Sequence, residues 1–134
     1  PFEHQSKLVA SACQAIALNK KAQFGPLDFW RDYLHVNDLA RAITTLLDSS
    51  QDGVVNLGSG QPVRQSTLVE TVARVSGRGV LFEICARPAN NDEPPVLFAE
   101  TKLIRSLGWR PEIALEDGLA ATLQWRRAQH RQAA

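Results

Sequence analysis

Arg31-Asp32-Tyr33-Leu34-His35-Val36-Asn37-Asp38-Leu39-Ala40-Arg41-Ala42-Ile43 is the stretch on which the fold reading turns. Its first half alternates in the two-residue rhythm of a strand, with Leu34 and Val36 expected to face inward. Asn37 is placed to cap a helix over about residues 38–48, in which Leu39, Ile43, Leu46 and Leu47 fall at i, i+4, i+7 and i+8 and make one apolar stripe. Arg31 stands at the mouth of this strand-to-helix unit. A planar guanidinium can grip two phosphate oxygens with charge-assisted hydrogen bonds, a geometry that lysine does not match. The bland alternative is a surface arginine paired with Asp28 or Asp32.

Outward from this unit the chain reads as further short α and β pieces, with no repeat, low-complexity tract or long linker. Towards the amino terminus, Leu8, Ala12 and Ile16, with Val9 and Cys13 beside them, predict a helix over about residues 5–19, closed by Lys20-Lys21. Towards the carboxy terminus, residues 53–57 predict a strand and Gly58-Ser59-Gly60 a sharp turn. Leu68, Val72 and Val75 mark the buried face of a helix that Gly77 is placed to end. A strand is expected over 80–85, with Val80, Phe82 and Ile84 on one face, and a short extended piece over 96–99. A helix carrying Leu103, Ile104 and Leu107 then stops at Gly108, and a last helix runs from about Glu116 to His130 with Leu119, Thr122 and Leu123 inward. The fold class is therefore α/β, resembling a small α+β lobe, with about five helices and a few short strands.

Composition bounds the function classes. The chain has 134 residues, 44% of them hydrophobic, enough for one domain with a modest core. Fifteen basic against fourteen acidic residues leave a net charge of +1, so no bulk field draws the chain to nucleic acid or to a membrane. No apolar run approaches the roughly 20 residues that span a bilayer. Cys13 and Cys85 are isolated and read as reduced thiols of a cytoplasmic protein. His4, His35 and His130 make no metal-ligand spacing, and no catalytic residue or metal ligand is assigned. His35 and Asp38 flank the strand-to-helix junction without a nucleophile beside them and read as structural. Trp109 and Trp125 read as core packing, while Phe29 and Trp30 are expected to be exposed. The sequence contains no methionine, and we read it as a fragment of a longer protein.

The Arg31–Ile43 stretch resembles the R-D-[YF]-[IL]-H-V-x-D signature of the extended short-chain dehydrogenases, the NAD-dependent nucleotide-sugar epimerases and dehydratases. The likeness continues in order through Val54-Val55-Asn56-Leu57-Gly58-Ser59-Gly60-Gln61-Pro62-Val63, Arg87-Pro88, Ser106-Leu107-Gly108-Trp109-Arg110-Pro111 and Leu115-Glu116-Asp117-Gly118-Leu119. It covers nearly the whole chain and matches the family's carboxy-terminal, substrate-holding part, which implies a lobe over residues 1–134 without the complete Rossmann domain. The family's glycine-rich dinucleotide turn and its catalytic Tyr-x-x-x-Lys pair have no counterpart here: Tyr33 has Asn37 four residues on, and Gly58 and Gly60 are followed by Val63.

The resemblance implies that Arg31 contacts the diphosphate of a nucleotide-sugar of the UDP- or dTDP- class. It also implies that Arg87 closes on that diphosphate from an arginine-proline loop, and that Phe24-Gly25 lies along the base. Phe24 equally suits core packing. Two segments depart from the family pattern. The short R-P-G-D turn becomes Arg87-Pro88-Ala89-Asn90-Asn91-Asp92-Glu93-Pro94-Pro95, with Asp92 as candidate for its acid, and Pro26-Leu27-Asp28-Phe29-Trp30 stands where a glycine-rich turn is common. The parent enzyme is expected to use NAD or NADP, and this part alone to bind neither and to lack turnover. Its expected partners are a nucleotide-sugar, the missing amino-terminal Rossmann domain and, where that domain is absent, a second copy of itself. The alternative is a stand-alone, non-catalytic nucleotide-binding or protein-interaction module derived from that family. A reading frame continuing upstream through a glycine-rich turn separates the two.

Overall fold

Three helices close around small side chains. In the computed structural model, which describes residues 4, 7–77, 82–85 and 93–132, helix α1 (Leu8–Leu18) packs against α3 (Gln65–Val75) and α5 (Leu115–Gln132). Its inward face carries Ala12, Cys13, Ala15 and Ile16, and the short side chains let the neighbouring helices approach. Leu68, Val69 and Val72 of α3 and Leu119 and Leu123 of α5 complete this core. The helix ends sooner than expected. Asn19 takes the left-handed conformation at φ 54° and its N–H reaches the carbonyls of Ala15 and Ile16, so Lys20 and Lys21 lie beyond the last turn.

Beside these helices, β1 (Ala22–Phe24) pairs in parallel with β4 (Phe82–Ile84). A second sheet has the order β3-β2-β5. Its central strand β2 (Trp30–Asp32) runs antiparallel to β3 (Pro62–Arg64) and parallel to β5 (Val96–Leu97). Pro62, which cannot donate to a ladder, sits on an edge strand where that costs nothing. The strand expected over Tyr33–Val36 thus lies earlier, at Trp30–Asp32, because that is where two neighbouring strands supply partners. Residues 53–57 form no strand either. Val55 and Leu57 pack into a second core with Ala42, Ile104 and Trp109, while the ladder position beside β2 is taken by β3.

Helix α2 (Val36–Leu47) begins ahead of the expected Asn37 cap. His35 is the N-cap, its Nδ1 accepting from the Asn37 N–H at 3.2 Å. The face this helix turns inward is not its apolar stripe. Asp38 and Ala42 are buried and Leu46 packs beside them, whereas Val36, Leu39, Ile43 and Leu47 are exposed, Leu47 to 80%. The rows 38/42/46 and 39/43/47 lie one residue apart, about 100° around the axis, and hydropathy alone favours the second. Three contacts fix the first instead. The indole Nε1 of Trp109 donates to the Asp38 carbonyl at 3.1 Å, and the Asp38 carboxylate accepts the N–H of Ile113 at 3.0 Å and that of Glu112 at 3.3 Å.

Of the remaining expectations several hold, while Phe29, expected to be exposed, and Trp125, expected in the core, are both half-buried. Helix α3 starts after Arg64, and Gly77 follows its end at φ +67°. Helix α4 (Lys102–Ser106) buries Ile104 and stops before Gly108 at φ +89°. Helix α5 buries Leu119 and Leu123, while Thr122 is half-buried and donates to its own helix at the Gly118 carbonyl. Trp109 is buried and Trp30 exposed; Phe82 meets the first core but Ile84 faces solvent, and Val80 lies outside the described residues.

Candidate functional site

Arg31 stands at the centre of the three-stranded sheet. The register sets Trp30 opposite Val96 and Arg31 opposite Leu97, and the ladder is extended by the Trp30 N–H donating to the Pro95 carbonyl at 2.8 Å. The guanidinium lies over the Phe29 ring, 5.1 Å from its centroid, so one face is covered by a π-system. Nη1 donates to the Trp30 carbonyl at 2.7 Å, and Nη2 pairs with the Glu93 carboxylate. The partner is neither Asp28, which pairs with Arg64, nor Asp32.

Asp32 has a separate task. Its Oδ1 accepts from the Ser59 N–H at 2.8 Å and from the Ser59 hydroxyl at 2.5 Å, and its Oδ2 from the N–H groups of Gly60 at 2.9 Å and Ala99 at 3.1 Å. One carboxylate thereby holds the glycine turn and the chain leaving β5 to the strand that carries Arg31. Gly58 is obligatory, since a Cβ there would lie 2.5 Å from both Asp32 Oδ2 and the Ala99 Cβ. Arg105 braces the turn from outside, donating through Nε to the Thr101 hydroxyl and through Nη2 to the Ser59 carbonyl, each at 2.9 Å. Sequence reasoning missed Asp32, Glu93 and Arg105. The readable signal was the turn, whose consecutive backbone donors require an acceptor from elsewhere.

The other residues singled out from sequence fall into place around this frame. Phe24 is 8% exposed, with its ring 5.5 Å from that of Phe82 and its carbonyl accepting the Cys85 N–H, so its side chain serves the core. Arg87 and Asp92 lie outside the described residues. His35 caps α2 through Nδ1, and the Asp38 carboxylate is buried where it accepts the Ile113 N–H. Burial pushes the Asp38 carboxyl up, but its hydrogen bond from Arg41 at 2.5 Å, with those from the Ile113 and Glu112 N–H groups, outweighs this and holds it below the usual carboxylate range. Arg41 also pairs with Glu112 at 2.6 Å. On the surface Arg74 grips Glu116 with two hydrogen bonds between α3 and α5, which lowers the Glu116 pKa, an exposed pair that solvent screens.

A cleft of about 240 Å³ opens between α1, the β2–α2 connection and α5, lined by Val9, Tyr33, His35, Leu115, Gly118 and Thr122 among others. Neither Arg31 nor Phe24 lines it. Among the described residues no cluster of His, Cys, Asp and Glu could hold a metal ion, and no helix is long and apolar enough to cross a membrane.

The family model described as GDP-mannose 4,6 dehydratase matches residues 2–122. The chain belongs to that family. It lies within the extended short-chain dehydrogenases, as the order of motifs implied. GDP-L-fucose synthase 1 of Arabidopsis thaliana is 42% identical over 98 residues, covering 71% of this chain and 29% of the relative. GDP-6-deoxy-D-mannose reductase of Pseudomonas aeruginosa is 32% identical over 133 residues, covering 92% of this chain and 43% of the relative. The structure of RMD from Pseudomonas aeruginosa complexed with NADPH superposes with a TM-score of 0.86 at 27% identity, over 96% of this chain and 45% of that one. UDP-glucose-4-epimerase from Stenotrophomonas maltophila, solved with bound NAD and formylated UDP-arabinopyranose, superposes at 0.82 with 31% identity, over 100% of this chain and 43% of that one. The chain thus spans less than half the length of the relatives it matches, and its α/β arrangement of five helices and short strands among the described residues is theirs.

Proposed function

We propose that the chain is the carboxy-terminal, substrate-binding lobe of an NAD- or NADP-dependent nucleotide-sugar epimerase, dehydratase or reductase, in which Arg31 anchors the diphosphate. The single observation that carries this reading is the seating of Arg31. It occupies the central strand of the β3-β2-β5 sheet, its neighbour Asp32 locks that strand to the glycine turn, and its head group is held in one place by Phe29 and the Trp30 carbonyl. A guanidinium fixed in this way meets a diphosphate without first losing side-chain freedom. Holding the diphosphate fixes which sugar carbon faces a reacting partner, and that is the lobe's contribution to catalysis. Arg87 is the second proposed contact, on its place in the motif order.

The Gly58-Ser59-Gly60 turn does not suit a dinucleotide. Among the described residues the Gly-x-Gly turn spends its Ser59 and Gly60 N–H groups on the Asp32 carboxylate, which leaves those donors unavailable to a pyrophosphate. A nicotinamide cofactor would supply hydride transfer in the whole enzyme, and no described residue of this chain is assigned to hold it. The exposed row Val36, Leu39, Ile43 and Leu47 suits the surface of the missing nucleotide-binding half, since patches of this kind mark interfaces. For the chain in isolation we expect self-association instead. Light scattering should show mass rising with concentration, and Leu47→Lys should reduce it; a monomer at high concentration would remove this part of the reading.

The substrate class is tested by calorimetric titration with GDP-mannose, UDP-glucose and free glucose. Binding of either nucleotide-sugar, none of glucose, and no NAD reduction with any of them is the expected result. Binding of glucose alone, or sugar-dependent NAD reduction by the chain, would contradict it.

A further inference from the structure

We propose that Glu93 is the resident counter-ion of Arg31 and that an anionic ligand enters by displacing it, so that Glu93 sets how strongly charged a ligand must be. This rests on the reading of Arg31 as a phosphate anchor and specifies how that anchor is controlled. Glu93 Oε1 pairs with Nη2, the Arg31 side chain is 16% exposed and that of Glu93 45%. The carboxylate therefore covers the guanidinium while remaining itself open to solvent. It is delivered there by the backbone. Pro94 restricts Glu93 to extended conformations, and two residues after Glu93 the Pro95 carbonyl accepts the Trp30 N–H at 2.8 Å, which ties the segment to the residue before Arg31.

The consequence follows from the charges. Glu93 is tethered, so it competes at a high effective concentration against any free carboxylate or other monoanion. A diphosphate brings more charge and more oxygens to the Nη2 side that Glu93 occupies, and it can displace Glu93 where a monoanion does not. Once displaced, the Glu93 side chain moves into water, which its exposure makes inexpensive. An exposed pair of this type is worth up to about five-fold in an equilibrium, so the carboxylate tunes the site without closing it.

Inorganic pyrophosphate is the probe, because it carries the charge of a diphosphate without base, ribose or sugar. Titrated calorimetrically at low salt, Glu93→Gln should bind it about three- to five-fold more tightly than wild type, since the amide keeps the shape and loses the charge. Arg31→Ala should bind it much more weakly, and Glu93→Gln should give no gain in the Arg31→Ala background. Circular dichroism establishes that each variant is folded; Glu93→Ala serves if the amide variant is not. Unchanged or weaker binding by Glu93→Gln, with Arg31→Ala still impaired, would overturn the counter-ion role and leave the anchor standing. An equal gain in both backgrounds would reduce Glu93 to a bulk field effect and overturn it too. Wild-type binding in Arg31→Ala would remove the anchor, and the counter-ion with it.

Discussion

Asp38→Ala is expected to destabilise the chain by about 2–3 kcal/mol, measured by denaturant unfolding at pH 7. The carboxylate is 0% exposed and accepts the N–H groups of Ile113 and Glu112 as well as the Arg41 guanidinium. Removing it orphans backbone donors that lie partly buried, each costing about 1–3 kcal/mol when left unmade, with water recovering some of the loss. It also frees the rotation of α2, because Asp38 is the residue that holds the 38/42/46 row against the Trp109 core. Asp38→Asn should cost less, since the amide oxygen still accepts from Ile113. The pH dependence follows from the depressed carboxyl. A group whose folded value lies below its unfolded value of about 3.9 contributes fully above that pH and loses the contribution as pH falls through the folded value. Wild-type stability should therefore fall more steeply than that of Asp38→Asn below about pH 4. Parallel curves would show that Asp38 is not ionised in the native state.

Much of the helical half of the fold was legible in the sequence, and much of the strand half was not. Helices α1, α3 and α5 announce themselves because their buried residues recur at 3.6-residue spacing, and Asn19 and Gly77 mark the ends of the first two. The strands are two or three residues long, too short for alternation to show, and their places are set by partners far away in sequence: Pro62–Arg64 and Val96–Leu97 decide where β2 lies. The face of α2 illustrates a different limit. Its apolar row was plain, but the inward row is set by a buried aspartate, and no hydropathy pattern would bury one. Around the site, Arg31 was visible as a guanidinium at a strand mouth. Its partner Glu93 and the four-donor role of Asp32 depend on contacts across 62 residues and on the folded turn, and Phe24, readable either as a base contact or as core, lies in the core.

The central claim is that Arg31 is the diphosphate anchor, and it carries the largest expected effect on binding. A charge-assisted hydrogen bond contributes about 1.5–3 kcal/mol, so the loss of Arg31 should weaken a nucleotide-sugar by about 10- to 100-fold. Arg31→Lys should fall between, because the ammonium keeps the charge and loses the two-pronged geometry. Neither change touches the Asp32 clamp, so circular dichroism and the unfolding midpoint should stay near those of wild type. Calorimetric titration of wild type and Arg31→Ala with GDP-mannose and UDP-glucose is the direct measurement. A Kd at least ten-fold weaker in Arg31→Ala, with the fold intact, is the predicted result; the same Kd in both proteins would contradict it.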